Sequence, residues 1–132
     1  MSDSIFSRII KGELPCHKIY EDELTFAFLD IHPKTPGHVL VVPKSEVDNL
    51  WDLSDQDYQA VMRTAKKVAQ KIQEILAPKR VGLMVEGIAV PHAHIHVFPF
   101  NSLDEFHHVP DMQAEPNHQE LAEMAKKLGF GN

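Results

Sequence analysis

The chain has 132 residues, a size suited to one domain with a modest core. Its 13 basic against 19 acidic residues leave a net charge of -6, which argues against a nucleic-acid backbone or an anionic membrane as main partner. Cys16 stands alone, the start Met1-Ser2-Asp3-Ser4 has no basic, apolar leader, and no stretch nears the length of a membrane span, so a cytoplasmic protein is expected.

Residues 5–11 read as a short helix, capped by Ser2 or Ser4 and ended by Gly12. Residues 17–21 and 24–29 read as two short strands around a turn at Glu21-Asp22-Glu23. Two prolines and a glycine make residues 30–37 a loop. The β-prone run 38–42 ends at Pro43. Ser54, with Asp57 three residues on, opens a long helix that Pro78 ends. Its apolar stripe is Tyr58, Val61, Met62, Ala65, Val68, Ala69, Ile72, Ile75 and Leu76. Arg63, Lys66, Lys67 and Lys71 form a solvated face rather than a nucleic-acid surface.

Residues 81–86 and 93–98 read as two more strands, antiparallel neighbours joined by a short link. Residues 101–116 are polar and expected to wrap the surface irregularly, and Asn117 caps a last helix with Leu121, Met124, Ala125 and Leu128 on its apolar side. No repeat or domain boundary shows, so residues 1–132 are read as one domain, with 101–132 its least well-placed part. The expected class is α+β: a mostly antiparallel five-stranded sheet, one long helix and short terminal helices.

The tract Pro91-His92-Ala93-His94-Ile95-His96-Val97-Phe98 alternates imidazoles with apolar side chains. As a strand it sends all three rings to one face and Ala93, Ile95 and Val97 to the other. Three readings fit: a zinc site, a half-exposed polar strand face, or catalysis on a phosphate. The third has the strongest physical case, because a neutral imidazole is a competent nucleophile toward phosphorus and its neighbours can hold the non-bridging oxygens. Crowding disfavours multiple protonation and keeps one ring neutral enough to attack.

The tract resembles that of the histidine-triad family. The resemblance extends to Ile5-Phe6-Ser7-Arg8-Ile9-Ile10-Lys11-Gly12-Glu13-Leu14-Pro15, to Phe26-Ala27-Phe28-Leu29-Asp30-Ile31-His32-Pro33 and to Pro36-Gly37-His38-Val39-Leu40-Val41-Val42-Pro43-Lys44. It implies a two-fold homodimer that binds purine nucleotides such as AMP or GMP conjugates and acts at the α-phosphate through a nucleotidyl-histidine. By resemblance His94 is the nucleophile, His96 the residue that contacts phosphate and helps the leaving group, His92 the orienting member and His38 a fourth histidine. Asp30 falls where the family binds ribose hydroxyls, and Phe6, Ile9, Phe28, Leu29 and Ile31 where it sandwiches the base. His17, His32, His107, His108 and His118 are read as surface residues.

Two departures from the family pattern stand out. Val85 replaces an asparagine, and Ile88-Ala89-Val90 replaces a Gln-Ser/Thr-Val sequence, so backbone amides of Gly87, Ala89 and Val90 are left to meet the phosphate. Some relatives carry a Cys-x-x-Cys pair for structural zinc; Ser4 and Ser7 stand there here, with Glu46 in place of a histidine. Neither a metal nor another cofactor is expected. The expected activity is hydrolysis of P–N conjugates like adenosine 5'-phosphoramidate. The alternatives are dinucleoside polyphosphate hydrolysis, a nucleotide-binding dimer without turnover, and a metal-dependent hydrolase.

Overall fold

The computed structural model describes residues 3–131. A short helix α1 (Ile5–Ile10) precedes strands β1 (Lys18–Glu21), β2 (Thr25–Leu29) and β3 (Val39–Pro43). A single 3-10 turn at Leu50–Asp52 leads into the long helix α2 (Asp55–Leu76). Strands β4 (Arg80–Met84) and β5 (Ile95–Phe100) and helices α3 (Leu103–His107) and α4 (His118–Leu128) follow. The five strands form one antiparallel sheet in the order β1-β2-β3-β5-β4.

Local chemistry explains the boundaries. Ser4 caps α1 by accepting the Ser7 N–H; Ser2, the other candidate, lies outside the described residues. Ser54 caps α2 by accepting the Asp57 N–H, and α2 closes on Ala77 in the left-handed conformation just before Pro78. Asn117 caps α4.

The sheet has two covered faces. On one, Val61, Ala65, Val68 and Ile72 of α2 pack against Leu29, Val39, Val41, Ile95 and Val97. Thr64, absent from the expected stripe, is buried there and shares a 2.7 Å hydrogen bond with Thr25. On the opposite face Phe6 of α1 packs with Phe26, Phe28, Leu40 and Val42. The alternation of β2 and β3 thus serves two cores, which is why both strands are buried at every position.

Several expectations shift. The last two strands depart from the boundaries read in the sequence: β5 runs Ile95–Phe100, two residues later at each end, and β4 runs Arg80–Met84, one residue earlier at its start and two at its end. His92 and His94 therefore precede the strand instead of lying in it. Residues 101–116 are not wholly irregular, because Ser102 caps α3 by accepting the Glu105 N–H and Phe106 of α3 packs on Phe98 and Phe100. The Ser102-x-x-Glu105 spacing was a readable signal for that turn. Ile75, assigned to the apolar stripe of α2, is 41% exposed.

Candidate active site

The Phe6 face of the sheet carries the histidines. His38 immediately precedes β3, and antiparallel pairing sets Leu40 opposite His96. Gly37 makes that entry possible. Its φ of +101° suits a residue without a side chain, and a Cβ there would meet Leu76 Cδ1 at 2.8 Å. The loop is pinned by Thr35, whose hydroxyl donates to the Pro99 carbonyl at 2.6 Å. His38, His92, His94 and His96 are all buried.

Hydrogen-bond direction assigns the proton on each ring. The Lys34 amide can only donate, and it reaches His38 Nδ1 at 3.0 Å. His38 Nε2 therefore carries the proton of the neutral ring and donates to His96 Nδ1 at 2.9 Å. That leaves the proton of neutral His96 on Nε2, a buried atom with no partner among the described residues. His94 Nδ1 faces the His92 carbonyl at 2.8 Å, an acceptor only, so it donates, and the neutral ring holds its lone pair on Nε2. His92 Nε2 donates to the Pro43 carbonyl at 2.8 Å, and its Nδ1 accepts from Ser4 Oγ at 2.7 Å.

Burial favours the neutral form of His38, His92 and His96. It pushes His38 down to about 3, helped by His96 and then Lys34, and pushes His96 down to about 4, helped first by His94. Burial also lowers His92, against the raising effects of Pro43 and Glu46. Asp30 Oδ2 lies 3.7 Å from His38 Nε2, but with His38 neutral this is not an ion pair. Asp30 is itself raised by burial, while its Oδ1 accepts the His32 N–H at 2.9 Å.

The structure gathers most of the residues picked from the sequence. Phe6 meets His94 edge-on at 4.9 Å between ring centroids, and also contacts His92 and Phe28. Ile9 and Val90 pack on the same aromatic cluster. Gly87 adopts a positive φ, and a Cβ there would come within 3.9 Å of His94 Cε1. Ala89 is exposed in the same loop. Leu29 lies on the face of β2 opposite Phe28, whereas Ile31 follows the strand and is exposed. Leu29 packs in the α2-side core, and both residues line, together with Asp30 and His38, a cavity of about 330 Å³ walled by Leu121 and Met124 of α4. His107, His108 and His118 are exposed, whereas His17 and His32 are half-buried and hydrogen-bonded, to His118 and to the Ala114 carbonyl.

Sequence reasoning passed over Glu86. Its carboxylate and one nitrogen each of His94 and His96 lie within 4.8 Å of one another. Two imidazoles and a carboxylate form a familiar donor set for divalent metals. The proton assignments oppose one here: metal on His96 Nε2 would displace a proton, reverse the His38 bond and set two N–H groups against each other at Lys34. The zinc site of some relatives fits no better. Ser4, Ser7, Glu46 and His92 saturate one another with hydrogen bonds, and hydroxyls are poor zinc ligands.

This geometry defines a histidine-triad nucleotide-site architecture, and comparison with known proteins agrees. The HIT domain family model matches residues 11–103, and the chain belongs to the HIT family. It is 38% identical over 113 residues to an uncharacterized HIT-like protein of Borreliella burgdorferi, covering 80% of this chain and 81% of that one. It is 37% identical over 100 residues to the adenosine 5'-monophosphoramidase hnt1 of Schizosaccharomyces pombe, covering 72% of each. The crystal structure of a Hit-like protein from Bartonella henselae superimposes with a TM-score of 0.81 at 29% identity, covering 96% of this chain and 94% of that one. Homology to HIT-family hydrolases supports an enzymatic, nucleotide-binding role.

Proposed function

We propose that this protein hydrolyses purine nucleotide conjugates at the α-phosphate through a nucleotidyl-His94 intermediate, with P–N substrates such as adenosine 5'-phosphoramidate preferred. The observation that carries the reading is the opposite polarity of two neighbouring rings: a lone pair on His94 Nε2 beside an N–H on His96 Nε2. The His94 lone pair forms the P–N bond to the α-phosphorus as the bond to the leaving group breaks; the electron pair stays on the leaving nitrogen, which takes a proton from solvent and departs as a neutral amine. His96 holds its proton and donates a hydrogen bond to the phosphoryl or leaving oxygen or nitrogen, as a ring that resists charge should. Water then attacks phosphorus, the His94–P bond returns its pair to Nε2, and the water proton passes to solvent. The likeness to the fission-yeast phosphoramidase supports the P–N preference; dinucleoside polyphosphates are the competing substrates.

In this reading Phe6, Ile9 and Phe28 wall the base, amides around Gly87 meet the phosphate, and Asp30 accepts from the ribose hydroxyls. Asp30→Ala is then expected to weaken AMP binding about 10- to 100-fold, the worth of a hydrogen bond to a charged group. It should also erase the preference for AMP over 2'-deoxy-AMP in calorimetry. Wild-type affinity in that variant contradicts the assignment.

A two-fold dimer belongs to the same proposal. Strand β4 pairs on one side only among the described residues, Leu83 and Val85 are 49% and 45% exposed, and Ile75 of α2 adds to the apolar surface. Light scattering at micromolar concentration should give twice the 15.0 kDa chain mass. A monomer mass refutes the dimer. The free Cys16 and the lack, among the described residues, of any helix long and apolar enough to cross a membrane are compatible with a cytoplasmic setting.

One observation favours a second reading, nucleotide binding without turnover. The loop beside His94 offers Ile88, Ala89 and Val90 where a polar side chain would steady the leaving group. Tight AMP binding with neither adduct nor product would select it.

A further inference from the structure

One cluster beside the site has no part in the reaction above. Glu46 accepts both the Ser4 amide and the Ser7 hydroxyl at 2.6 Å. Ser4 Oγ accepts the Ser7 amide at 3.0 Å and spends its single proton on His92 Nδ1. Ser7 Oγ stands 3.4 Å from the same nitrogen. Ser4, Ser7 and His92 are buried, so this nitrogen has protein partners only. The His92 ring is clamped between them and the Pro43 carbonyl, and its own carbonyl is the acceptor for His94 Nδ1.

We propose that Glu46 is a positioning residue for the nucleophile, acting through Ser4 and Ser7. Its carboxylate orders the two serines; they hold His92 as the Nε2–H form in one orientation; and the His92 carbonyl then keeps the proton of His94 on Nδ1. The lone pair of His94 stays on the Nε2 that faces phosphorus. The proposal rests on the reading of His94 as nucleophile. Its logic is that of outer partners which fix the tautomer of a reacting or ligating histidine. The acceptor geometry of Glu46 matters more than its charge, since its contacts to both serines are hydrogen bonds.

The test reads ring protonation directly, by ¹⁵N NMR of the histidine side chains in the full chain at pH 7.5, beside single-turnover nucleotidylation with adenosine 5'-phosphoramidate. In wild type, His92 should carry its proton on Nε2 and His94 on Nδ1. Glu46→Ala should turn His94 into a tautomer mixture and slow adduct formation about tenfold, with AMP affinity changed less than about twofold. Glu46→Gln, which keeps an acceptor oxygen, should restore the single tautomer and most of the rate. If Glu46→Ala does not fold, Ser7→Ala severs the same link and reads the same signals. A single Nδ1–H tautomer with an unchanged rate in Glu46→Ala overturns the proposal, as does equal damage from Glu46→Gln. Wild type without turnover would count against the enzymatic reading alone, because the NMR result still decides whether Glu46 sets the tautomer.

Discussion

His94→Ala is expected to lower turnover of adenosine 5'-phosphoramidate by about four orders of magnitude or more, the scale seen when a covalent nucleophile is deleted. Binding should survive, because the Phe6–Phe28 wall and Asp30 do not depend on the His94 ring for their places. Phe6 loses one edge-on partner of three but keeps His92 and Phe28. The expected pattern is therefore a collapse of kcat with AMP affinity within a few-fold of wild type. His96→Ala should cost less, about two to three orders of magnitude, since it removes a hydrogen-bond donor to the transition state and leaves the nucleophile in place. Equal losses in the two variants would mean that neither ring has the separate role assigned to it.

Stability should fall steeply in mild acid. His38 and His96 are held at about 3 and about 4 in the folded protein, against about 6.5 for a free histidine. Between these limits the unfolded chain binds more protons than the folded one, so stability rises with pH. The contribution of both rings is complete above about pH 6.5 and is lost progressively as pH falls toward the folded values. From pH 7.5 to 4.5 the two together should cost on the order of 5 kcal/mol. Asp30, raised by burial, works in the opposite direction. Urea midpoints at the two pH values measure the effect. His96→Gln should flatten the profile, because an amide does not titrate, and a midpoint that is level over this range contradicts buried neutral rings.

Much of the architecture was legible because local chemistry and global fold agree. The stripe on α2, its Ser54 cap and the Pro78 stop all point to the same 22-residue helix. The run ending at Pro43 could only be a buried strand. Other features depend on long-range packing that no local pattern encodes. Thr64 reads as polar until Thr25 is found opposite it, 39 residues away. The histidine alternation suggested a strand beginning two residues early; His92 instead leaves the sheet because its ring is captured by Pro43 and Ser4. Leu29 and Phe28 are neighbours in sequence and lie on opposite faces, so each packs in a different core. The Lys34 amide is invisible in sequence because it acts through its backbone, yet it sets the tautomer of His38 and, through it, of His96.

The central claim is a covalent nucleotidyl-histidine on His94. Intact-protein mass spectrometry after brief mixing with adenosine 5'-phosphoramidate, and separately with diadenosine polyphosphate, tests it most directly in wild type and His94→Ala. The account predicts an adenylyl adduct and AMP release in wild type, absent from the variant, with the faster substrate identifying the leaving-group class. AMP release that persists in His94→Ala, or the lack of both adduct and AMP from either substrate in wild type, contradicts it.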